Sequence, residues 1–279
     1  MKAKKTKENN AKKRFCAARA AGVLAVALLF CPLAPAPTKF CVCAQNGVIS
    51  APVQDTLGSY TTYFDEEQTG RTQNIRLAVQ WINGVTLQPY GTFSFNQTVG
   101  KRTVEAGFKK AKIIEDGRFV LGIGGGVCQV STTLYNAALK SGLEILEYHP
   151  HSLKISYVAP SRDAMVSTQC DLKIYNPYPH PVRLQASVKG SAVKVSFLGK
   201  NTGDRWEIVS HVLEEIPPPP PIVEEGKTER IIRAPKNGVK SEAYLERYKD
   251  GKLVARTRIR TDSYKPVQAI VVKKNENTT

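Results

Sequence analysis

The sequence predicts an α+β fold in which a cysteine-bearing helix packs on antiparallel strands, followed by a small, elongated all-β module. Three observations predict it. Two segments, Asn74–Asn83 (NIRLAVQWIN) and Val127–Lys140, repeat apolar residues at helical spacing. Short runs of β-branched and aromatic residues, separated by Gly and Pro, fill most of the remaining chain. From about residue 203 onward the pattern alternates as strands do, with no helical stretch.

The 279 residues are enough for two modest domains once a targeting segment is set aside. Residues 1–44 read as a signal peptide or membrane anchor: Lys2, Lys4, Lys5, Lys7, Lys12, Lys13, Arg14 and Arg19 precede an apolar run from Ala20 to Leu33. That run of fourteen residues is short of the roughly 20 an untilted membrane helix needs. Val42-Cys43-Ala44 offers a small-residue cleavage pattern before Gln45, so a cleaved signal is favoured. A polar lead (45–59) comes next, then a domain expected to span 60–202.

In that domain Ile75, Leu77, Ala78, Trp81 and Ile82 mark the first helix. Strands and turns follow through TFSFN and KKAKII, punctuated by Gly91, Gly100, Gly107 and Asp116-Gly117. Val130, Leu134, Ala137 and Ala138 mark the second helix, with Gly142 as its stop. LEILEYH, LKISYVA, DLKIYN, VRLQASV and AVKVSFLG read as strands. Gly203-Asp204 marks a boundary, and Pro217–Pro221 must be extended and stiff. The module at 203–273 is expected to be all-β, with a hairpin turn at Asp250-Gly251 and little core; 274–279 reads as a disordered tail.

The formal charge is +16, of which residues 1–44 supply nine positive and one negative charge, leaving +8 on the remainder. This excess suits an anionic wall polymer or membrane surface, and no basic stripe of the nucleic-acid-binding kind is present. Four of the six cysteines fall in the targeting region, so Cys128 and Cys170 remain, too few for a disulfide scaffold. They could still form a single bridge. Beyond residue 44 no metal ligand spacing occurs apart from the close His149-Pro150-His151, and GIGGG has neither a P-loop lysine nor Rossmann spacing. No metal and no cofactor are expected.

Three blocks, NIRLAVQWINGVTLQPYGTFSFNQTVGKRT, GIGGGVCQVSTTLYNAALKSGLEILEYHPHS, and YVAPSRDAMV with DLKIYN, resemble the VanW domain in the right order, over about Tyr60 to Lys200. The tail from about Asp204 to Lys273 resembles the glycine-five (G-five) domain, with Gly226, Gly238 and Gly251 fitting its pattern. The first resemblance implies a cell-envelope protein of the kind associated with vancomycin-resistance clusters, and an activity as a cysteine-dependent L,D-transpeptidase that cross-links peptidoglycan stem peptides. The second implies binding to amino-sugar glycan. The implied location is extracytoplasmic, secreted or tethered, with the membrane touched only through the N-terminal segment. The sequence carries no signal for an oligomeric state.

The residues support the same chemistry. Gly124, Gly125 and Gly126 run into a helix whose first turn holds Cys128, a place where unpaired N–H groups lower a thiol's pKa and can hold an oxyanion. The competing reading is a tight turn and a small buried cysteine. A thiol nucleophile needs a base, and His151 is preferred over His149, while His180 and His211 read as bland. Asp163 and Asp171 are equal candidates for the orienting acid. Gln129, Ser131, Thr132 and Tyr135 follow the thiol and are expected to line the site; Arg102 and Arg162 could hold a substrate carboxylate. Two other readings use the same residues: a cysteine carboxypeptidase or amidase, and a non-catalytic protein that binds peptidoglycan or a glycopeptide antibiotic.

Overall fold

The computed structural model describes residues 55–115 and 118–274. The expected targeting segment 1–44, the start of the polar lead and the tail beyond residue 274 lie outside the described residues. The lead contains a strand at its end, β1 (Asp55–Tyr63), which its polar composition and Gly58 conceal. The first helix, α1 (Thr69–Ile82), starts five residues before the expected segment and buries Ile75, Ala78, Val79 and Ile82.

Then come β2 (Thr86–Leu87), β3 (Thr92–Ser94), the short helix α2 (Phe95–Val99), and the hairpin of β4 (Lys110–Glu115) and β5 (Arg118–Ile123). TFSFN is thus half strand and half helix. Ser94 ends the strand by accepting the Gln97 N–H on its side chain, an N-cap that starts α2. The second helix, α3, spans Val127–Lys140 as the periodicity predicts. After it come β6 (Glu144–Glu147), β7 (Lys173–Tyr175), β8 (Val182–Lys189) and β9 (Ala192–Gly199). The expected strand LKISYVA does not form. It lies between Pro150 and Pro160, its only ladder contact is an isolated bridge at Leu153, and the whole stretch 149–166 is irregular.

One antiparallel sheet runs β1-β9-β8-β2 and a second runs β3-β7-β6, with α3 packed against β1, β9 and β6. The tail is all-β. It comprises β10 (Asp204–Ile216), β11 (Ile222–Gly226), β12 (Arg230–Arg233), β13 (Gly238–Lys249), β14 (Lys252–Tyr264) and β15 (Ile270–Lys274). These form two three-stranded sheets, β10-β13-β14 and β11-β15-β12. Asp250 and Gly251 take φ of 51° and 77°, the double left-handed turn that joins β13 to β14.

Helix α3 is buried from Val127 to Leu139 except at Cys128. Its polar residues therefore need partners inside the protein. Thr133 meets Thr62 of β1 at 2.7 Å, and Gln129 donates to Tyr63 O at 2.8 Å. The hydrophobic core continues into the tail, where Ile208 of β10 and Ala243 of β13 join residues of α1, α3, β8 and β9.

Candidate functional site

Cys128 is the second residue of α3 and is partly exposed. Gly126 caps the helix at φ 106° and Gly124 has φ 84°, values only glycine adopts without a Cβ clash. A Cβ on Gly125 would lie 2.6 Å from Lys112 O, and one on Gly126 3.0 Å from Arg71 Cγ. The glycines therefore let the loop pass closely between β4 and α1. Asn74 of α1 fixes it there, donating to Gly125 O at 2.9 Å.

The irregular segment 149–166 brings His151 and Asp163 to the thiol. His151 Nδ1 lies 2.7 Å from Asp163 Oδ2, which also accepts the His151 backbone N–H at 2.7 Å. With Nδ1–H donated to the carboxylate, Nε2 is the ring nitrogen left for the thiol, and His151 and Cys128 are close enough for each to shift the other's protonation. The thiol itself donates to Val166 O at 3.4 Å.

The electrostatics of the three groups agree. Burial pushes the Cys128 thiol up, but the hydrogen bond and charge of His151, with Arg102 further off, more than offset it and leave the thiol below its usual range. Burial pulls His151 down, while hydrogen bonds to Asp163 and Cys128 raise it to about 9. Burial likewise raises Asp163, and His151, Arg260 and Tyr264 together hold it below the usual carboxylate range. Both shifts favour the thiolate–imidazolium form relative to the two groups taken alone.

Among the other expected site residues, several serve the scaffold. Asp171 lies apart from His151: it accepts Ser94 Oγ at 2.5 Å and the Asn96 N–H at 2.8 Å, bracing the start of α2. His149 pairs with Glu147 at 3.0 Å and receives the Met165 N–H on its carbonyl. Ser131 and Thr132 are bonded to the backbone of Ala164, directly after Asp163, at 2.6 Å and 3.0 Å. Gln129 accepts from Arg71 at 2.6 Å and is buried. Tyr135 is buried 5.8 Å from the Tyr148 ring, with Arg260 over it. Arg162 binds Asn136 at 3.0 Å and stacks on Tyr60. Arg102 donates to Asn96 Oδ1 at 2.6 Å, packs beside Gly124 and contributes its charge to the thiol's surroundings.

Sequence reasoning missed Tyr157, Arg260 and Tyr264. Tyr157 lies in the neighbourhood of Cys128, Thr132 and Arg71, and burial, then the charge of Cys128, drives its hydroxyl far above the tyrosine range. Only its place within YVAPSRD could have drawn attention to it. Arg260 and Tyr264 come from the tail and carry no local signal. Among the described residues, Cys128 and Cys170 are both free thiols, and no cluster of metal-ligating side chains occurs.

An α+β domain with an aligned Cys–His–Asp constellation, joined to an all-β module, is thus what fold and site define. Comparison with known families matches residues 70–198 to the VanW-like proteins and residues 212–275 to the G5 domain. The chain thus carries a VanW-like domain followed by a G5 domain. It is 38% identical over 165 residues to YoaR of Bacillus subtilis (strain 168), an uncharacterized protein, covering 59% of this chain and 52% of that one. It is 28% identical over 128 residues to the vancomycin B-type resistance protein VanW of Enterococcus faecalis (strain ATCC 700802 / V583), covering 43% and 46%. The chain thus spans about half the length of these relatives. Among solved structures, the IgA1 protease G5 domain matches at 20% identity and a TM-score of 0.18, over 28% of this chain and all of that one (100%). The crystal structure of HP0197-G5 matches at 19% and 0.16, over 25% and 93%.

Proposed function

We propose that this is a cell-envelope, peptidoglycan-associated protein that acts as a cysteine-dependent L,D-transpeptidase on stem peptides. The aligned Cys128–His151–Asp163 carries the reading, because a thiolate held by an imidazolium and a buried carboxylate is poised for acyl transfer. The thiolate attacks the donor-stem carbonyl, and the oxyanion forms at the α3 N-terminus, the positive end of the helix dipole. His151 protonates the leaving amine as the peptide bond breaks, giving a thioester on Cys128. An acceptor amine then attacks the thioester, neutral His151 takes its proton, and the thiolate leaves. Relatives that include a vancomycin-resistance protein, and a G5 domain beside the site, support an envelope setting. No helix among the described residues is long and apolar enough to cross a membrane.

The test is intact-mass spectrometry of the protein incubated with purified muropeptides, comparing wild type with Cys128→Ala. The expected result is an acyl adduct on wild type alone, followed by a cross-linked dimer. An adduct resolved only to free acid would make the protein a carboxypeptidase. Unmodified protein that still binds peptidoglycan would make it a binding protein.

A further inference from the structure

The stretch that carries both His151 and Asp163 has no ladder of its own, so its position is set by whatever surrounds it. One side is the α3 surface already described. The other is the G5 module. Arg260 of β14 donates through Nη1 to Asp163 O at 2.6 Å and lies 3.4 Å from Asp163 Oδ1 through Nη2. Tyr264, at the end of the same strand, donates its hydroxyl to Asp163 Oδ1 at 2.5 Å and accepts the Ser161 N–H at 2.8 Å. One residue on, the Lys265 N–H donates to Ser152 O at 2.8 Å, next to His151. Ser241 of β13 meets Ser161 at 2.8 Å, and Ser210 of β10 donates to Pro160 O. Every strand of the β10-β13-β14 sheet therefore contacts the catalytic segment.

The chemistry of Arg260 indicates more than packing. Its side chain is 0% exposed, and a guanidinium buried so deeply requires paired carboxylates and satisfied donors. Asp262 meets Nε at 2.6 Å and Asp163 supplies the second carboxylate, while Tyr148 stacks 4.4 Å from the guanidinium. Asp163 Oδ2 is fully used by His151, and Oδ1 is used by residues of the tail. With both oxygens fixed, the carboxylate can neither rotate nor take up a proton without losing a bond.

We propose that the G5 module completes the catalytic site, with Arg260 and Tyr264 acting as positioning residues that hold Asp163 in line behind His151. The inference rests on the triad reading and extends it: the module is a structural part of the active site as well as a candidate wall-binding domain. Removing either residue takes one of the two donors from Oδ1, weakens the support that Asp163 gives the imidazolium, and so lowers the thiolate fraction at Cys128. The other groups facing this chain are Arg102, Arg71 and Tyr157 around the thiol, with Tyr135, Tyr148 and Asp262 around Arg260, and they stay unchanged in the test variants.

The experiment measures the rate of Cys128 alkylation by iodoacetamide against pH in the full chain, with peptide mapping to separate Cys128 from Cys170. Wild type, Tyr264→Phe, Arg260→Gln, Arg260→Lys and His151→Ala are compared, with melting temperatures alongside. The expected result is a depressed wild-type inflection that moves up by about one pH unit in Tyr264→Phe and Arg260→Gln, less in Arg260→Lys, which keeps the charge. Tyr264→Phe keeps the ring and loses only the hydroxyl, so a purely packing role would leave its profile unmoved. A depressed wild-type inflection that His151→Ala abolishes but Tyr264→Phe and Arg260→Gln leave in place would overturn this inference alone. A wild-type profile like that of a free thiol would refute the triad, and this inference with it.

Discussion

At Cys128 the decisive quantity is the proton balance between thiol and imidazole. With the thiol lowered and His151 raised to about 9, the ion pair exists in the window between the two. Acyl transfer should therefore fall at low pH as the thiolate is protonated, and fall again above about 9, where His151 no longer holds the proton for the leaving amine. A pH–rate profile checks both limbs. His151→Ala should cost about 10²–10⁴-fold in rate at neutral pH. The same groups affect stability. Against burial, which lowers it, Asp163 and Cys128 together raise wild-type His151 from its ordinary 6.5 to about 9. A raised group contributes stability below its unfolded pKa and loses it as pH rises through the folded one. The imidazole's contribution to the wild-type melting temperature should thus decline between about 6.5 and about 9, and His151→Gln should lack that decline. Much of this residue chemistry could be read from the sequence, since few histidines were available and a cysteine behind three glycines stands out. The choice between Asp163 and Asp171 could not, because it depends on which carboxylate the fold turns toward His151.

The elements were readable wherever periodicity was strong. Helix α3 has the bounds its pattern implies, and the Asp250-Gly251 turn sits where its sequence places it. The segment carrying His151 and Asp163 was not readable: LKISYVA has strand composition, but Pro150 and Pro160 bound it, and the hydrogen bonds of the surrounding residues go to side chains of α3 and to the tail. The polar residues of α3 misled for a related reason. Ser131 and Thr132, expected to line the site, are buried and, together with Asn136, hold residues 162–164 in place. The glycine loop is the element most sensitive to change. Gly126→Ala would place a Cβ at φ 106° and 3.0 Å from Arg71 and Ile75, costing roughly 1–2 kcal/mol in conformation alone. It should reduce thermal stability and Cys128 alkylation together, measured by melting and by intact mass.

Across the molecule, the boundary expected at Gly203-Asp204 separates two sequence patterns while the core runs through it. Ile208 is 6% exposed and sits against the first domain's core, and burying one such side chain contributes about 1.5–3 kcal/mol. A chain ending at residue 202 should melt well below the full-length protein, and calorimetry of the two would check this. The link from tail to site was invisible in sequence, because Tyr264 and Asp163 are 101 residues apart and no local pattern joins them. The irregularity of segment 149–166 has a further consequence. Local openings in a protein span free energies from near zero up to that of global unfolding, and stretches without ladders open first. Mild denaturant should then draw His151 and Asp163 away from Cys128 while the sheets and α3 remain intact, so a sample with full far-UV signal can already contain a sizeable fraction in which the proposed site is dispersed.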